Sequence, residues 1–435
     1  MRTNISGFPE YTPSEQLAFD AITAKIKHVY ESFGYVPLET AAVERIETLT
    51  SKGIDSKEVY ALRRLNAQSE DGDKSSADAG DKNLALRFDL TVPLARYVSQ
   101  NYSSLTFPYR RYQCQPVWRG ERPQYGRYRQ FHQFDLDVIA DGKLPLEADA
   151  EIIAASNTAL TAILPQGTQF TMRINNRKLL TGLVEGAGYT GDQIYQAIKV
   201  IDDLEKVSPE EANNRLTAIN GSASVQTLLT QLRTKDLASL TGLTPLAEEG
   251  RTELQAVLNT LKSLVPGSSV PGSLVADLTI ARGLDYYTGT VVETRLHAAP
   301  ELGSICSGGR YDNLTASLSE RNLPGVGISI GISRLAAWLM DQPPYNAMPA
   351  TTAKLIVTGP AAATTCQQLR AHGVACELAM GDKSAGQHFQ TAQKRGLAYG
   401  LVADDAKLSL RTFETRAQED FTLPDLIPHL KSLFG

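Results

Sequence analysis

Val117-Trp118-Arg119-Gly120-Glu121-Arg122-Pro123-Gln124-Tyr125-Gly126-Arg127-Tyr128-Arg129-Gln130-Phe131-His132-Gln133 sets four arginines (Arg119, Arg122, Arg127, Arg129) within eleven residues, around a Pro-Gln-Tyr-Gly turn. Guanidiniums grip phosphate oxygens through paired hydrogen bonds. The stretch therefore reads as strand, turn, strand: a hairpin whose loop carries cations over a polyphosphate. A solvated basic loop is the plainer reading of an Arg-rich run, and the flanks tilt the balance away from it. After the turn, Gln133, Asp135 and Asp137 alternate with Phe134, Leu136 and Val138. Side chains alternate across a strand, so one face is apolar and the other carries an amide and two carboxylates. That polar face is either a solvent-facing edge or the floor of a polar ligand site.

Working outward, residues 84–91 repeat the pattern. Leu84, Leu86, Phe88 and Leu90 are expected to face a core, with Arg87, Asp89 and Thr91 opposite them on a ligand-facing side. Upstream, Thr12-Pro13-Ser14-Glu15 is a capping box that opens a helix, which Gly34 stops. Asn66 to Asn83 is polar and small throughout and reads as a loop between two strands. Residues 177–270 read as an inserted helical subdomain. Strand-like sequence then resumes around Arg282-Gly283-Leu284-Asp285-Tyr286-Tyr287, Gly308-Gly309-Arg310-Tyr311-Asp312, and a glycine-bearing strand that runs from Gly325 into a helix with Arg334 at the junction. Residues 341–351 are a Pro-rich linker. Residues 352–435 alternate strand and helix, which predicts a separate small α/β domain.

The bulk numbers bound the possibilities. A chain of 435 residues is expected to form two or three domains. No run of about 18 apolar residues is present, so no membrane partner is expected. The first thirteen residues lack the apolar core of a signal peptide. The four cysteines are scattered, as are the six histidines. That argues for reduced thiols in a cytoplasmic setting and against a metal site built from a side-chain cluster. A net charge of −5 weighs against a general nucleic-acid surface. Between Tyr109 and Arg129, however, six arginines face one acid, so the positive charge is local.

Four long motifs in order resemble those of the histidyl-tRNA synthetases, class II enzymes that join histidine to its tRNA. The arginine hairpin resembles class II motif 2, and residues 325–335 resemble motif 3. The 282–287 and 308–312 stretches resemble the two histidine-specific motifs, and the resemblance covers essentially the whole chain. It implies an α+β fold: an antiparallel six-stranded sheet with flanking helices in a catalytic domain of residues 1–340, followed by an anticodon-binding domain at 352–435. It also implies a homodimer built near the helix after Thr12, with ATP, Mg2+, histidine and tRNA(His) as partners.

Residue by residue, the resemblance assigns Arg119 and Arg282 to the α-phosphate from opposite sides, as the catalytic pair. Arg127 and Arg334 take the β- and γ-phosphates of a bent ATP, and Glu121 the adenine end or a magnesium-linked position. Asp89, Thr91 and Gln133 serve the α-amino group of histidine. Asp137 and Tyr287 serve the two imidazole nitrogens, Tyr311 closes the pocket, and Gln124 lies near the tRNA acceptor end. Ser333 stands where the family usually has an acid. Two other readings fit parts of the sequence. One is a regulatory paralogue that binds histidine without charging tRNA; the other is an RNA-binding module built on the basic hairpin.

Overall fold

The chain opens with α1 (Pro13–Ser32), where the Thr12 amide and hydroxyl both bond the Glu15 carboxylate at 2.7 Å. Gly34, with φ of 81°, supplies the left-handed turn after the helix. This is a computed structural model that describes residues 5–50, 58–63, 83–265, 274–282, 286–312, 321–405 and 407–434. The polar stretch from Asn66 lies outside the described residues up to Asn83. The chain divides into two compact units, residues 1–9 with 22–339 and residues 10–21 with 340–435.

In the first unit, β1 (Val36–Pro37), β2 (Val43–Arg45), α2 (Ile46–Thr50), β3 (Leu84–Leu86) and α3 (Thr91–Gln100) lead to the central hairpin. Its arms are β4 (Tyr109–Trp118) and β5 (Gln130–Ile139), paired antiparallel over their full length. Next come α4 (Glu147–Ile163) and β6 (Phe170–Asn176). Between β6 and β7 (Leu274–Ala276) lies a helical insertion: α5 (Arg177–Gly186), α6 (Asp192–Asp202), α7 (Pro209–Ile219), α8 (Val225–Leu232) and α9 (Pro245–Leu264). Asn176, Ser208 and Thr244 cap three of these helices through their side chains. The unit closes with β8 (Thr290–Leu296), β9 (Ser304–Tyr311), β10 (Gly325–Ile330) and α10 (Ile332–Leu339).

These strands form one eight-stranded sheet, ordered β1-β4-β5-β10-β9-β8-β6-β7. The six strands from β4 to β6 pair antiparallel, and the short β1 and β7 add on in parallel at the edges. An antiparallel sheet can bury one face and present the other. Phe134, Leu136 and Val138 are buried in the apolar core, as their alternation predicts.

The period-two reading of 84–91 fails beyond β3. The Asp89 carboxylate accepts the Val92 amide at 3.1 Å, and α3 begins at Thr91. An aspartate satisfying an otherwise unpaired N–H at a helix start outweighs the alternation there. Over residues 84–87 the facing is reversed as well: Ala85 and Arg87 are buried, while Leu84 and Leu86 are only partly so; Leu90 is buried as its position in the pattern predicts. Arg87 tolerates burial because its guanidinium donates to the carbonyls of Pro116, Thr40 and Ala41 and to the Gln115 amide oxygen.

The second unit contains β11 (Leu355–Thr358), α11 (Ala362–Ala371), β12 (Cys376–Leu378), α12 (Ala385–Lys394), β13 (Tyr399–Ala403), β14 (Leu408–Thr412), β15 (Gln418–Phe421) and α13 (Leu423–Phe434). Its sheet runs β12-β11-β13-β14-β15, parallel across the first three strands and antiparallel from β13 through β15. Leu355, Val357, Leu369, Leu401, Leu410, Leu426 and Leu430 form its core. This is the small α/β alternation read from the sequence.

Candidate active site

The β4–β5 hairpin and the glycine-bearing β10 build the site together. A chamber of about 470 Å³ is lined by Arg119, Glu121, Arg127, Gln133, Lys206, Arg282, Arg295 and Arg334. Its five arginines come from four segments: Arg119 and Arg127 from the hairpin loop, Arg282 ahead of β8, Arg295 on β8 and Arg334 from the first turn of α10. Arg334 is braced by the Gly126 carbonyl at 3.2 Å and the Ser304 carbonyl at 2.6 Å. Burial, and then the nearby Arg127 and Arg119, push the Arg334 pKa down. Crowded cations of this kind favour an anion bound among them. Arg119 lies over the Phe88 and Phe131 rings and donates to the Phe88 carbonyl.

The hairpin's other two arginines do not line this chamber. Arg129 braces the loop against the Glu121 and Ser6 carbonyls, and Arg122 is exposed. Arg110 and Arg111, part of the basic run read from the sequence, are spoken for as well: Arg110 pairs with Glu151, and Arg111 with Asp137. The local positive charge is therefore smaller than the residue count suggests, and it is concentrated in the chamber.

Adjoining the chamber is a smaller pocket lined by Thr91, Asp135, Asp137, Tyr286, Tyr287, Tyr311 and Gly327. Ser307 and Ser329 line both cavities and join them. Asp137 is fixed from two sides: Tyr311 donates to its Oδ1 at 2.8 Å, and Arg111 meets its Oδ2 at 2.7 Å. Gly327 pairs directly with Asp137 across the sheet. A Cβ at Gly327 would lie 2.0 Å from Asp137 Oδ1, and one at Gly325 would lie 2.3 Å from the Tyr311 ring. These two glycines leave the space that the carboxylate and the phenol occupy.

The polar floor extends onto β4, where Arg111, Gln113 and Gln115 stand opposite Asp137, Asp135 and Gln133. Gln133 donates to Ser329 at 2.8 Å and meets Arg119 at 3.4 Å. Burial pushes the Asp135 carboxyl up to about 7, with Arg111 opposing and Asp137 reinforcing the rise. Burial also raises Asp137, against the pull of Arg111 and the Tyr311 hydrogen bond.

Of the residues singled out in the sequence, Arg119, Glu121, Arg127, Gln133, Arg282 and Arg334 meet at the chamber, and Thr91, Asp137, Tyr287 and Tyr311 at the pocket. Asp89 lines neither cavity, and Gln124 sits exposed at the hairpin tip, where it bridges to Arg127. Ser333 is buried, and its Oγ accepts the His132 amide at 2.8 Å. Sequence reading passed over Arg111, Ser329 and Tyr286. The alternation of 109–118 carries a signal for Arg111, and Tyr286 and Ser329 lie inside the 282–287 and 325–335 motifs. Among the described residues, no group of three or more His, Cys, Asp or Glu could hold a metal. No helix of the described residues is long and apolar enough to cross a membrane.

An antiparallel sheet whose hairpin and glycine-bearing strand gather arginines beside a small polar pocket defines a class II aminoacyl-tRNA synthetase core. Residues 7–335 match the family model for histidyl-tRNA synthetase, and residues 350–433 match that for an anticodon-binding domain. The chain belongs to the histidyl-tRNA synthetase family, the enzymes that charge tRNA with histidine. A relative from Micrococcus luteus named histidine–tRNA ligase is 40% identical, with 99% of this chain and 98% of the relative covered. The crystal structure of histidyl-tRNA synthetase from Nostoc sp. PCC 7120 superposes with a TM-score of 0.85 at 33% identity, covering all of both chains. A Bacillus halodurans structure described as an ATP phosphoribosyltransferase regulatory subunit/histidyl-tRNA synthetase shares the fold, with a TM-score of 0.71 at 20% identity over 90% of this chain and 96% of that one.

Proposed function

We propose that the arginine chamber binds ATP and the adjoining pocket binds histidine, so that the carboxylate of histidine meets the α-phosphate where the two cavities join. The reading is carried by one observation: Arg119 and Arg127 of the hairpin, Arg282 and Arg334, from three separate stretches of sequence, line one chamber beside the pinned Asp137. In the first step the carboxylate attacks the α-phosphorus and pyrophosphate leaves. In the second, a hydroxyl of the terminal adenosine of tRNA(His) attacks the histidyl-adenylate and AMP leaves. No covalent enzyme intermediate is needed. The protein's work is to align two anions and to stabilise charge growing on the phosphoryl oxygens.

In this reading Arg119 and Arg282 flank the α-phosphate, and Arg127 and Arg334 hold the β- and γ-phosphates. Each Asp137 oxygen has spare acceptor capacity beyond Tyr311 and Arg111. One therefore takes an imidazole N–H while Tyr287 serves the other ring nitrogen, and Tyr311 closes the pocket. Thr91 and Gln133 receive the α-amino group, with Asp89 supporting electrostatically from the start of α3. A pocket built to pair both ring nitrogens leaves buried groups unpaired with any other amino acid, which discriminates by about 10⁴-fold. Gln124, at the hairpin tip, lies toward the tRNA acceptor end.

Mg2+ fits as an ion carried by the triphosphate. Glu121, which lines the chamber, would be the side chain that holds it, since the described residues offer no cage of carboxylates. Bound there, it would neutralise phosphate charge. The catalytic domain is assigned to residues 1–340, with the insertion at about 177–270 and a linker at 341–351. Residues 352–435 are assigned to the anticodon, and the enzyme to a cytoplasmic homodimer. The direct test is histidine-dependent ATP–pyrophosphate exchange with Asp137→Ala. The KM for histidine is expected to rise far more than that for ATP; equal rises would make Asp137 merely structural.

A further inference from the structure

Arg282 faces the chamber with one edge of its guanidinium already engaged. Its Nε and Nη2 both donate to Oε1 of Glu293, at 3.1 and 2.7 Å. Glu293 lies on β8 with its side chain 1% exposed. Its second oxygen receives Arg173, and Arg295 at 3.4 Å. Arg173 continues to Asp277 and Glu205, and Arg295 also pairs with Glu205. Asp202 stands 3.8 Å from Arg282. Asp202 ends α6 and Glu205 lies in the turn after it, so both belong to the helical insertion, whose Lys206 lines the chamber.

We infer that Glu293 is a positioning residue for Arg282: its carboxylate holds one edge of the guanidinium so that the other faces the chamber, with Asp202 of the insertion as a second, weaker anchor. The inference rests on the part proposed above for Arg282 in adenylate formation. Binding through Nε and Nη2 leaves Nη1 for a phosphoryl oxygen. An arginine held in advance loses its rotamer freedom on folding rather than during the reaction. Glu293 is shared among three guanidiniums, in a network that also holds Asp202, Glu205 and Asp277, so what it fixes is the orientation of Arg282 rather than its charge. Burial raises the Glu293 carboxyl, but the hydrogen bond from Arg173 and the charges of Arg282, Arg173 and Arg295 prevail and hold it below its ordinary value.

The experiment is a double-mutant cycle in histidine-dependent ATP–pyrophosphate exchange with Arg282→Ala, Glu293→Gln and the pair. Glu293→Gln is expected to lower kcat by roughly 10- to 100-fold, the scale of a misplaced catalytic group, with KM for histidine changed by less than about twofold. In the Arg282→Ala background the same change should cost less than about twofold further, since no guanidinium remains to be placed. An equal fold-loss in both backgrounds overturns the inference. If Arg282→Ala alone leaves exchange unchanged, the proposed role of Arg282 fails first, and the two failures are thereby told apart. Glu293 is buried, so Asp202→Asn, at a part-exposed site, guards against a folding failure. A several-fold fall in kcat seen only when Arg282 is present supports the anchoring, and an unchanged kcat removes the insertion from it.

Discussion

Gly327→Ala tests how the pocket is made. An alanine Cβ would stand 2.0 Å from Asp137 Oδ1 and 2.8 Å from its Cγ. A tolerable contact needs more than 3 Å, so the carboxylate must retreat by about 1 Å. It cannot do so at no cost, because Arg111 and Tyr311 hold it at 2.7 and 2.8 Å. A 1 Å shift carries the Tyr311 hydrogen bond beyond range or lengthens the ion pair with Arg111. Overpacking costs about 1–3 kcal/mol, and losing a hydrogen bond to a charged group about 1.5–3 kcal/mol. Part of this loss falls on folding, which a protein with about 5–15 kcal/mol in hand survives. The rest falls on histidine, whose imidazole would meet a displaced acceptor; about 1.4–2.8 kcal/mol there is a 10- to 100-fold rise in KM for histidine. Pyrophosphate exchange measures this, with the KM for ATP as internal control, because Gly327 lines only the smaller pocket. An unchanged KM for histidine in a folded variant, or equal rises for both substrates, refutes the reasoning.

Asp135→Asn should change the pH dependence of stability in the protein without histidine. The folded carboxyl titrates at about 7 against about 3.9 when unfolded, so the native state holds a proton that the unfolded chain releases between those values. The contribution of Asp135 to stability therefore falls as pH rises through that window. The variant's melting temperature should gain on the parent's between pH 5 and pH 8, and a constant difference would contradict this. Ser333→Ala leaves the His132 amide without its acceptor, and thermal unfolding should show a loss of about 1–3 kcal/mol; an unchanged midpoint would mean water replaces the hydroxyl without penalty. Light scattering at micromolar concentration should report a homodimer, and a monomer would remove that assignment.

The sequence was legible where one period governed one element. The alternation from Gln133 to Val138 sorted the core face from the site face, because an antiparallel strand over a core has only that choice. It failed from Leu84 to Asp89, where a capping carboxylate and a satisfied buried guanidinium outweigh hydrophobic pattern, though Leu90 and Thr91 sit as it predicts. Arg111 was counted as part of a basic patch. Its partner Asp137 is 26 residues away, and only the hairpin register brings them together. Gly325 and Gly327 were visible as glycines, but what they make room for is a cross-strand fact. The braces on Arg334 are backbone carbonyls of Gly126 and Ser304, and no side-chain pattern encodes those. Ser333 looked like a missing acid, yet it supplies an acceptor to a backbone amide, a role that spacing alone does not reveal.

Transfer of labelled histidine onto a tRNA(His) transcript, with ATP and magnesium present, tests the central claim most directly. The account predicts charging that depends on all three substrates and collapses in Arg282→Ala. A folded protein that binds histidine but charges no tRNA would contradict it, and would place the chain with regulatory proteins that share the fold.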